Sequence, residues 1–289
     1  MKRVRTRRRI FPWIILGVIL VTAILFFDSN MRIVTGEYEL FYTDLPEEFD
    51  GFRIVVLSDL HATKFGQDNE RLIRLVRKAN PDIIAITGDI LDAYRRIPVE
   101  RQLVVAETLV QSLVPIAPVY FVTGNHEWDR RVGGPWELFS ILEAHGVIVL
   151  RNQYVNLESG GETIILAGVD DPNGPADMIR PAEFVERIFE REGEDSFIVM
   201  LSHRNHNLPL YSSLGVQLVL CGHAHGGIVR LPFTDGLVGP QLELFPTYTS
   251  GVYTMGGTNM VVSRGLGNYV MSPRFLNNPH IVVAVLRVG

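Results

Sequence analysis

The sequence predicts an α/β domain carried behind an N-terminal membrane helix. Two patterns predict this. From Phe52 onward, short apolar runs alternate with stretches of helical spacing. Before that, Ile10 to Phe27 is an uncharged run of 18 residues, preceded by a cluster of basic side chains. The chain has 289 residues, 47% of them apolar, enough for a substantial core and too apolar for a disordered chain. Its single cysteine, Cys221, excludes a disulfide framework and a zinc finger.

The basic head, residues 1–9, contains Lys2, Arg3, Arg5, Arg7, Arg8 and Arg9, and no acid follows until Asp28. Without these six, 27 basic residues become 21 against 32 acidic, and the net charge falls from −5 to −11. An acidic body offers no clustered positive footprint, so no stable nucleic-acid binding is expected. Residues 10–27 would span roughly 27 Å as a helix, close to the hydrocarbon thickness. Flanking charge on one side only, and the lack of a polar face, favour a membrane helix over a core helix. No small-residue cleavage site follows Phe27, so the expectation is an uncleaved signal-anchor with residues 1–9 in the cytoplasm and the body outside. Thr6-Arg7-Arg8-Arg9-Ile10-Phe11 also resembles a twin-arginine export signal, and a plain basic head explains it equally well.

Residues 28–50 read as a tether and an edge strand, and residues 51–289 as one domain. Arg53–Ser58 (RIVVLS) is a strand. Gln67–Asn80 has helical spacing and stops at Pro81. Asp82–Thr87 is the second strand, Pro98–Leu113 a helix, Val119–Thr123 the third strand, Gly134–His145 a helix and Val147–Leu150 the fourth strand. Thr163–Gly168, Phe197–Ser202, Gln217–Cys221, Asn259–Ser263 and Ile281–Val288 are further strands, with a helix over Pro181–Arg191. Continuous apolar runs of this kind suit strands covered on both faces. Gly226–Gly257 breaks the pattern with seven glycines and three prolines. It is either a functional loop or a surface excursion with its own hairpin.

Five of these strands end in Asp, Asn or His. RIVVLS is followed by Asp59-Leu60-His61, and DIIAIT by Gly88-Asp89 and then Asp92. VYFVT is followed by Gly124-Asn125-His126-Glu127, FIVMLS by His203, and QLVLC by Gly222-His223-Ala224-His225. In open α/β sheets the crevice at the carboxyl ends of strands is where ligands bind. Carboxylate, amide oxygen and imidazole together suit a divalent ion such as Mn, Fe or Zn. Two such ions clamp a phosphate and activate water, provided that one carboxylate bridges them. Asp89 is the candidate bridge, since Gly88 before it permits close backbone approach. Any one of these residues alone reads as an ordinary polar strand end; the set does not.

As an ordered set, these five motifs resemble the calcineurin-like metallophosphoesterases over residues 50–289. The anchor and the segments GHAHGG and VSRGLG are similar to the bacterial membrane-associated branch of that family. The resemblance implies a four-layer sandwich, two mixed β-sheets flanked by helices, where the strand count alone does not separate this from a doubly wound sheet. It implies two divalent metal ions, one held by Asp59, His61, Asp89 and His225, the other by Asp89, Asn125, His203 and His223. The nucleophile would be a metal-bridging hydroxide. His126 would act as transition-state stabiliser or general acid, oriented by Asp92. Where related members follow the lone histidine with x-Pro-Asp, this chain has Arg204-Asn205-His206. Arg204 and Asp171 are candidate substrate contacts; their plainer readings are a surface side chain and a turn residue.

The expected function is therefore hydrolysis of a phosphodiester, phosphomonoester or pyrophosphate bond, on a phosphorylated small molecule or a lipid-linked or envelope substrate. The alternatives are a nucleotide phosphodiesterase and a non-catalytic metal-bound membrane scaffold. His145, His280 and Cys221 read as structural.

Overall fold

The apolar runs that open the βα units become the inner strands of two sheets packed face to face. A computed structural model describes residues 7–231, 234–239, 243–268 and 273–289. The helices are α1 (Arg7–Met31), α2 (Glu70–Ala79), α3 (Val99–Leu113), α4 (Trp136–Ala144), α5 (Pro181–Glu192) and α6 (Leu208–Ser213). The early strands are β1 (Val34–Tyr42), β2 (Arg53–Leu57), β3 (Ile83–Thr87), β4 (Val119–Val122), β5 (Ile148–Val149) and β6 (Gln153–Ser159). The later ones are β7 (Glu162–Gly168), β8 (Ile198–Leu201), β9 (Leu218–Cys221), β10 (Gly251–Met255), β11 (Thr258–Val262) and β12 (His280–Val288).

The first sheet runs β1-β12-β2-β3-β4-β5 and the second β10-β11-β9-β8-β7-β6. Both are mixed. β2 to β5 are mutually parallel, β12 enters antiparallel to β2, and β1 lies parallel to β12 at the edge. In the second sheet β11, β9, β8 and β7 are parallel, with antiparallel β10 and β6 outside them.

Alternation along each strand separates the layers. Ile54 and Val56 of β2 point between the sheets, where they meet Leu166, Val199 and Leu220. Val55 and Leu57 point the other way, onto Leu72 and Val76 of α2 and Leu109 of α3. On the far side, Ile165, Met200 and Val219 pack under Val185 and Ile188 of α5 and Tyr211 of α6. The order is helix, sheet, sheet, helix, the expected sandwich. Strands buried on both faces explain the unbroken apolar runs. Each enclosed Val, Leu or Ile adds about 1.5–3 kcal/mol over an exposed one.

Several elements differ from expectation. Helix α1 runs on to Met31, past the end of the apolar run, so residues 28–31 of the expected tether are helical. Within α1, residues Phe11–Met31 are long and apolar enough to cross a membrane, and the most apolar window is wholly uncovered by the rest of the chain. Residues 1–6 of the basic head lie outside the described residues. β6, β10 and α6 had no counterpart in the sequence reading. β6 and β10 are half-exposed outer strands, so their apolar content is low. β10 forms a hairpin with β11 across Gly256-Gly257, inside the 226–257 stretch.

Candidate metal centre

The site is built at one end of the sandwich, where strands of both sheets finish. Asp59 and His61 follow β2, Asp89 follows β3, and Asn125 and His126 follow β4, all in the first sheet. His203 follows β8, and His223 and His225 follow β9, in the second. Hydrogen bonds tie the two sheets together here. The His223 amide donates to the Asp59 carboxylate at 3.2 Å, and His203 Nδ1–H donates to the Thr87 carbonyl at 2.8 Å. The chain turns sharply at these strand ends. Asp59, His61, Asp89, His223 and His225 all have φ between 47° and 65°, a left-handed conformation unfavourable for non-glycine residues. Strain of this kind collects where a site over-determines the backbone. Gly88, at φ +87°, permits a close approach, because a Cβ there would fall on the Gly124 backbone.

Two triads of ligand atoms result. Asp59, His61 and His225 form one, and Asp89, His203 and His223 the other. His61 Nε2 and His225 Nε2 converge to 3.1 Å, and His225 Nε2 lies 3.4 Å from Asp59 Oδ1. His203 Nε2 is 3.2 Å from Asp89 Oδ2, from Asn125 Oδ1 and from His223 Nδ1. Asp89 stands between the triads, with Oδ2 also 3.8 Å from His61 Nε2 and 3.9 Å from His126 Nε2. Imidazole lone pairs and carboxylates aimed at common points, in a nearly solvent-free setting, are the donor set a divalent cation requires. The residues therefore fit the metal pair. Burial, above all, pushes the pKa of His61, His223 and His225 well below the usual histidine value, which keeps them neutral as ligands must be.

A third triad, His61, Asp92 and His126, has a different character. The Ala93 amide donates to His126 Nδ1 at 2.9 Å, so that nitrogen carries a lone pair already in use and the ring proton sits on Nε2. Asp92, expected to orient His126, stays 3.7 Å from Nδ1. Its Oδ1 instead accepts from the amides of Tyr94 and Arg95, while Oδ2 pairs with Arg95 at 3.2 Å. Asp92 thus shapes the turn that presents the Ala93 amide.

Arg204 and Asp171, read as substrate contacts, are engaged with each other. Arg204 Nε reaches Asp171 Oδ2 at 2.6 Å and Nη2 reaches Oδ1 at 3.1 Å. Asp171 is buried, with both carboxylate oxygens taken up in this two-point pair. Arg204 Nη1 comes within 3.1 Å of His223 Nε2, on the ring edge away from the triad. His145 caps α4 beside Glu107, while His280 and Cys221 are enclosed.

Glu127 had no role in the sequence reading. Its buried carboxylate accepts three backbone amides, from Asp89 (2.8 Å), Leu91 (3.0 Å) and Gly124 (2.7 Å). It pins the loops after β3 and β4 together. Burial, then the charge of Asp89, raises its pKa to about 7. Glu127→Gln leaves at least one of these amides facing an NH2 group. An orphaned buried donor costs roughly 1–3 kcal/mol. At about 2–4 °C per kcal/mol for a chain of this size, the expected loss is roughly 2–12 °C in Tm by calorimetry.

A pH dependence follows for the metal-free protein. His203 has its pKa raised to about 10; burial lowers it, but the charge and hydrogen bond of Asp89 override burial. The folded value lies above the unfolded value of 6.5, so this stabilisation is complete below pH 6.5 and is lost as pH rises through 10. Glu127, raised from 4.5 to about 7, acts in the same direction. With chelator present, Tm is expected to fall between pH 6.5 and 9. An ion held at His203 would take the place of the Nε2 proton, so the loaded protein is expected to show a much smaller fall over the same range. Parallel curves with and without metal would contradict this.

A family model described as calcineurin-like phosphoesterase matches residues 52–227. An uncharacterised metallophosphoesterase of Bacillus subtilis, YkuE, is 31% identical over 261 residues, covering 88% of this chain and 86% of its own. A Danio rerio transmembrane protein with a metallophosphoesterase domain is 29% identical over 293 residues, covering 97% of this chain and 63% of its own. Among solved structures, the Haemophilus influenzae NAD nucleotidase superposes with a TM-score of 0.49 at 16% identity, over 74% of this chain and 45% of that one.

Proposed function

The chain belongs to the calcineurin-like phosphoesterase family, and from that premise we propose that it is a membrane-anchored, two-metal hydrolase of phosphodiester, phosphomonoester or pyrophosphate bonds. That it is a metal-dependent phosphoesterase follows from the family itself. The observation that carries the finer reading is the position of the Asp89 carboxylate between the two ligand triads. In this reading Asp59, His61, Asp89 and His225 hold one ion, and Asp89, Asn125, His203 and His223 the other. Bound there, the ions supply the charge that clamps a phosphate and the activated water that attacks it.

The remaining work falls to the chain. His203 Nδ1 is committed to the Thr87 carbonyl, which leaves Nε2 for ligation. Asp171 holds the Arg204 guanidinium beside the outer edge of the His223 ring. His126 presents Nε2–H toward the space beside Asp89, because Ala93 occupies its other nitrogen. A proton there donates a hydrogen bond to a phosphate oxygen as charge builds on it.

Helix α1 is the anchor in this reading, with the basic head in the cytoplasm and the catalytic domain outside. The placement favours lipid-linked or envelope phosphates as substrates. The test uses the full chain in detergent, stripped with chelator and titrated with Mn²⁺, Fe²⁺ or Zn²⁺. The expected result is two ions per chain, with turnover of a chromogenic diester or monoester rising as the second binds. A folded protein that holds two ions and turns over neither ester would favour the metal-bound scaffold. A C-terminal reporter active only outside the cytoplasm tests the orientation.

A further inference from the structure

The membrane helix meets the metal centre through one short stretch of chain. Ser29 is buried, and its Oγ accepts from the Leu276 amide at 2.8 Å. Asn30 Oδ1 accepts from the Arg274 amide and from Asn268 Nδ2, both at 3.0 Å, and its Nδ2 donates to the Arg274 carbonyl at 2.8 Å. Asn278 Nδ2 donates to the Asp28 carbonyl at 2.8 Å. The same stretch holds the metal ligands. The Gly267 amide donates to the Asp59 carbonyl at 2.6 Å, and Asn277 Nδ2 donates to the His225 carbonyl at 2.7 Å. Gly267 and Asn268 are neighbours, so one Cα step of about 3.8 Å separates a bond to a ligand residue from a bond to the helix.

A ribbon leaves this stretch sideways. Val229 bridges to Phe275, the Leu237 amide donates to the Val229 carbonyl at 2.9 Å, and the Phe245 amide donates to the Leu237 carbonyl at 2.9 Å. The ribbon carries large apolar side chains outward, with Leu231 47%, Leu244 71% and Phe245 74% exposed. Phe245 does so at φ 54°, a strained conformation for a bulky residue. The ribbon springs from the residues that grip Ser29 and Asn30. Ser29 lies only two residues past Phe27, about 3 Å of helix rise beyond the apolar run. Arg230, at the root of the ribbon, is committed within the chain: Nη1 donates to the Gly226 carbonyl at 3.0 Å and Nη2 pairs with Asp235 Oδ1 at 3.4 Å.

We propose that the ribbon is a second membrane contact. Leu231, Leu244 and Phe245 enter the leaflet from which α1 emerges, and the metal centre works on phosphate esters presented by membrane lipids. The argument for the occupant is continuity: the ribbon is hydrogen-bonded to the foot of the apolar helix. The proposal rests on reading α1 as an anchor and the site as a phosphoesterase, and its test separates these.

Cys221 is the sole cysteine and is buried, so a nitroxide can be placed selectively at Leu244→Cys, Phe245→Cys or Phe41→Cys in the full chain. Phe41 is the control, 61% exposed near the far end of β1, roughly 23 Å of strand from Val34. In phosphatidylcholine–phosphatidylglycerol vesicles, labels at 244 and 245 are expected to collide more with oxygen than with a water-soluble nickel chelate, and the label at 41 the reverse. A label at 245 as open to the chelate as that at 41 overturns the membrane contact, whatever the activity. The second arm compares Mn²⁺-dependent turnover of phosphatidic acid and phosphatidylglycerol in vesicles with that of a soluble chromogenic diester. In Leu244→Glu/Phe245→Glu the ratio of lipid to soluble turnover is expected to fall at least tenfold, and in Phe41→Glu to stay put. Wild-type turnover of the soluble ester with none of either lipid, or an unchanged ratio in the double variant, overturns the substrate class. Absence of all turnover counts against the phosphoesterase reading, and the label depths still decide the contact.

Discussion

Asp89→Asn is expected to strip both ions and to lower turnover at least about 10³-fold. Loss of groups that merely support metal ligands costs 10–100-fold in affinity or activity, and a carboxylate shared by two ions must cost more. Asp89 Oδ2 faces three imidazole nitrogens at 3.2, 3.8 and 3.9 Å, while Oδ1 accepts the His126 amide at 2.9 Å. Asparagine keeps the volume and can keep the Oδ1 contact, which preserves the turn. It removes the charge and aims an NH2 group at atoms that a cation needs. The His203 proton also loses the carboxylate that holds its pKa near 10. The variant is therefore expected to fold, to bind less than one ion per chain by elemental analysis, and to lose the pH-dependent fall in Tm of the metal-free protein. Two retained ions with full turnover would mean that Asp89 does not bridge.

That these Asp, Asn and His side chains would cluster was legible because chemistry placed them at a readable address. Each follows an apolar run, and carboxyl ends of strands point one way in a parallel sheet. The division into two sheets was not legible. β3, β4, β8 and β9 are equally apolar, and nothing local says that the first pair and the second belong to different sheets. After the strands of the second sheet the chain returns to the first as β12, its last strand, inserted antiparallel beside β2. That pairing spans almost the whole domain, beyond any local signal. The foot of α1 was hidden for a related reason. Asp28, Ser29 and Asn30 read as polar linker, and only their partners near residue 275, some 244 to 250 positions away, make them a docking surface. Glu127 was missed because its work is to accept backbone amides, which no side-chain spacing announces; its place directly after Asn125-His126 was the available hint.

His126→Ala is expected to lower kcat by about 10²–10³ with both ions retained, the usual effect of removing one preorganised donor to a developing charge. The tautomer makes the prediction sharper. With Nδ1 occupied by the Ala93 amide, the ring is a neutral imidazole whose one proton is on Nε2. Full transfer of that proton to a leaving oxygen would produce an imidazolate, a far worse base-bearing product than the imidazolium–imidazole couple on which general acids rely. The geometry therefore favours a hydrogen-bond donor to a phosphate oxygen over a proton donor to the leaving group. The two roles differ in what they do across a series of substrates. A stabiliser helps good and poor leaving groups alike, so the variant should lose the same factor on 4-nitrophenyl and phenyl esters. A general acid matters little to 4-nitrophenolate and greatly to phenolate, so its loss would widen with leaving-group basicity. A loss that grows steadily along the series, with metal content unchanged, would mean that the Ala93 contact breaks during turnover and that His126 delivers its proton after all.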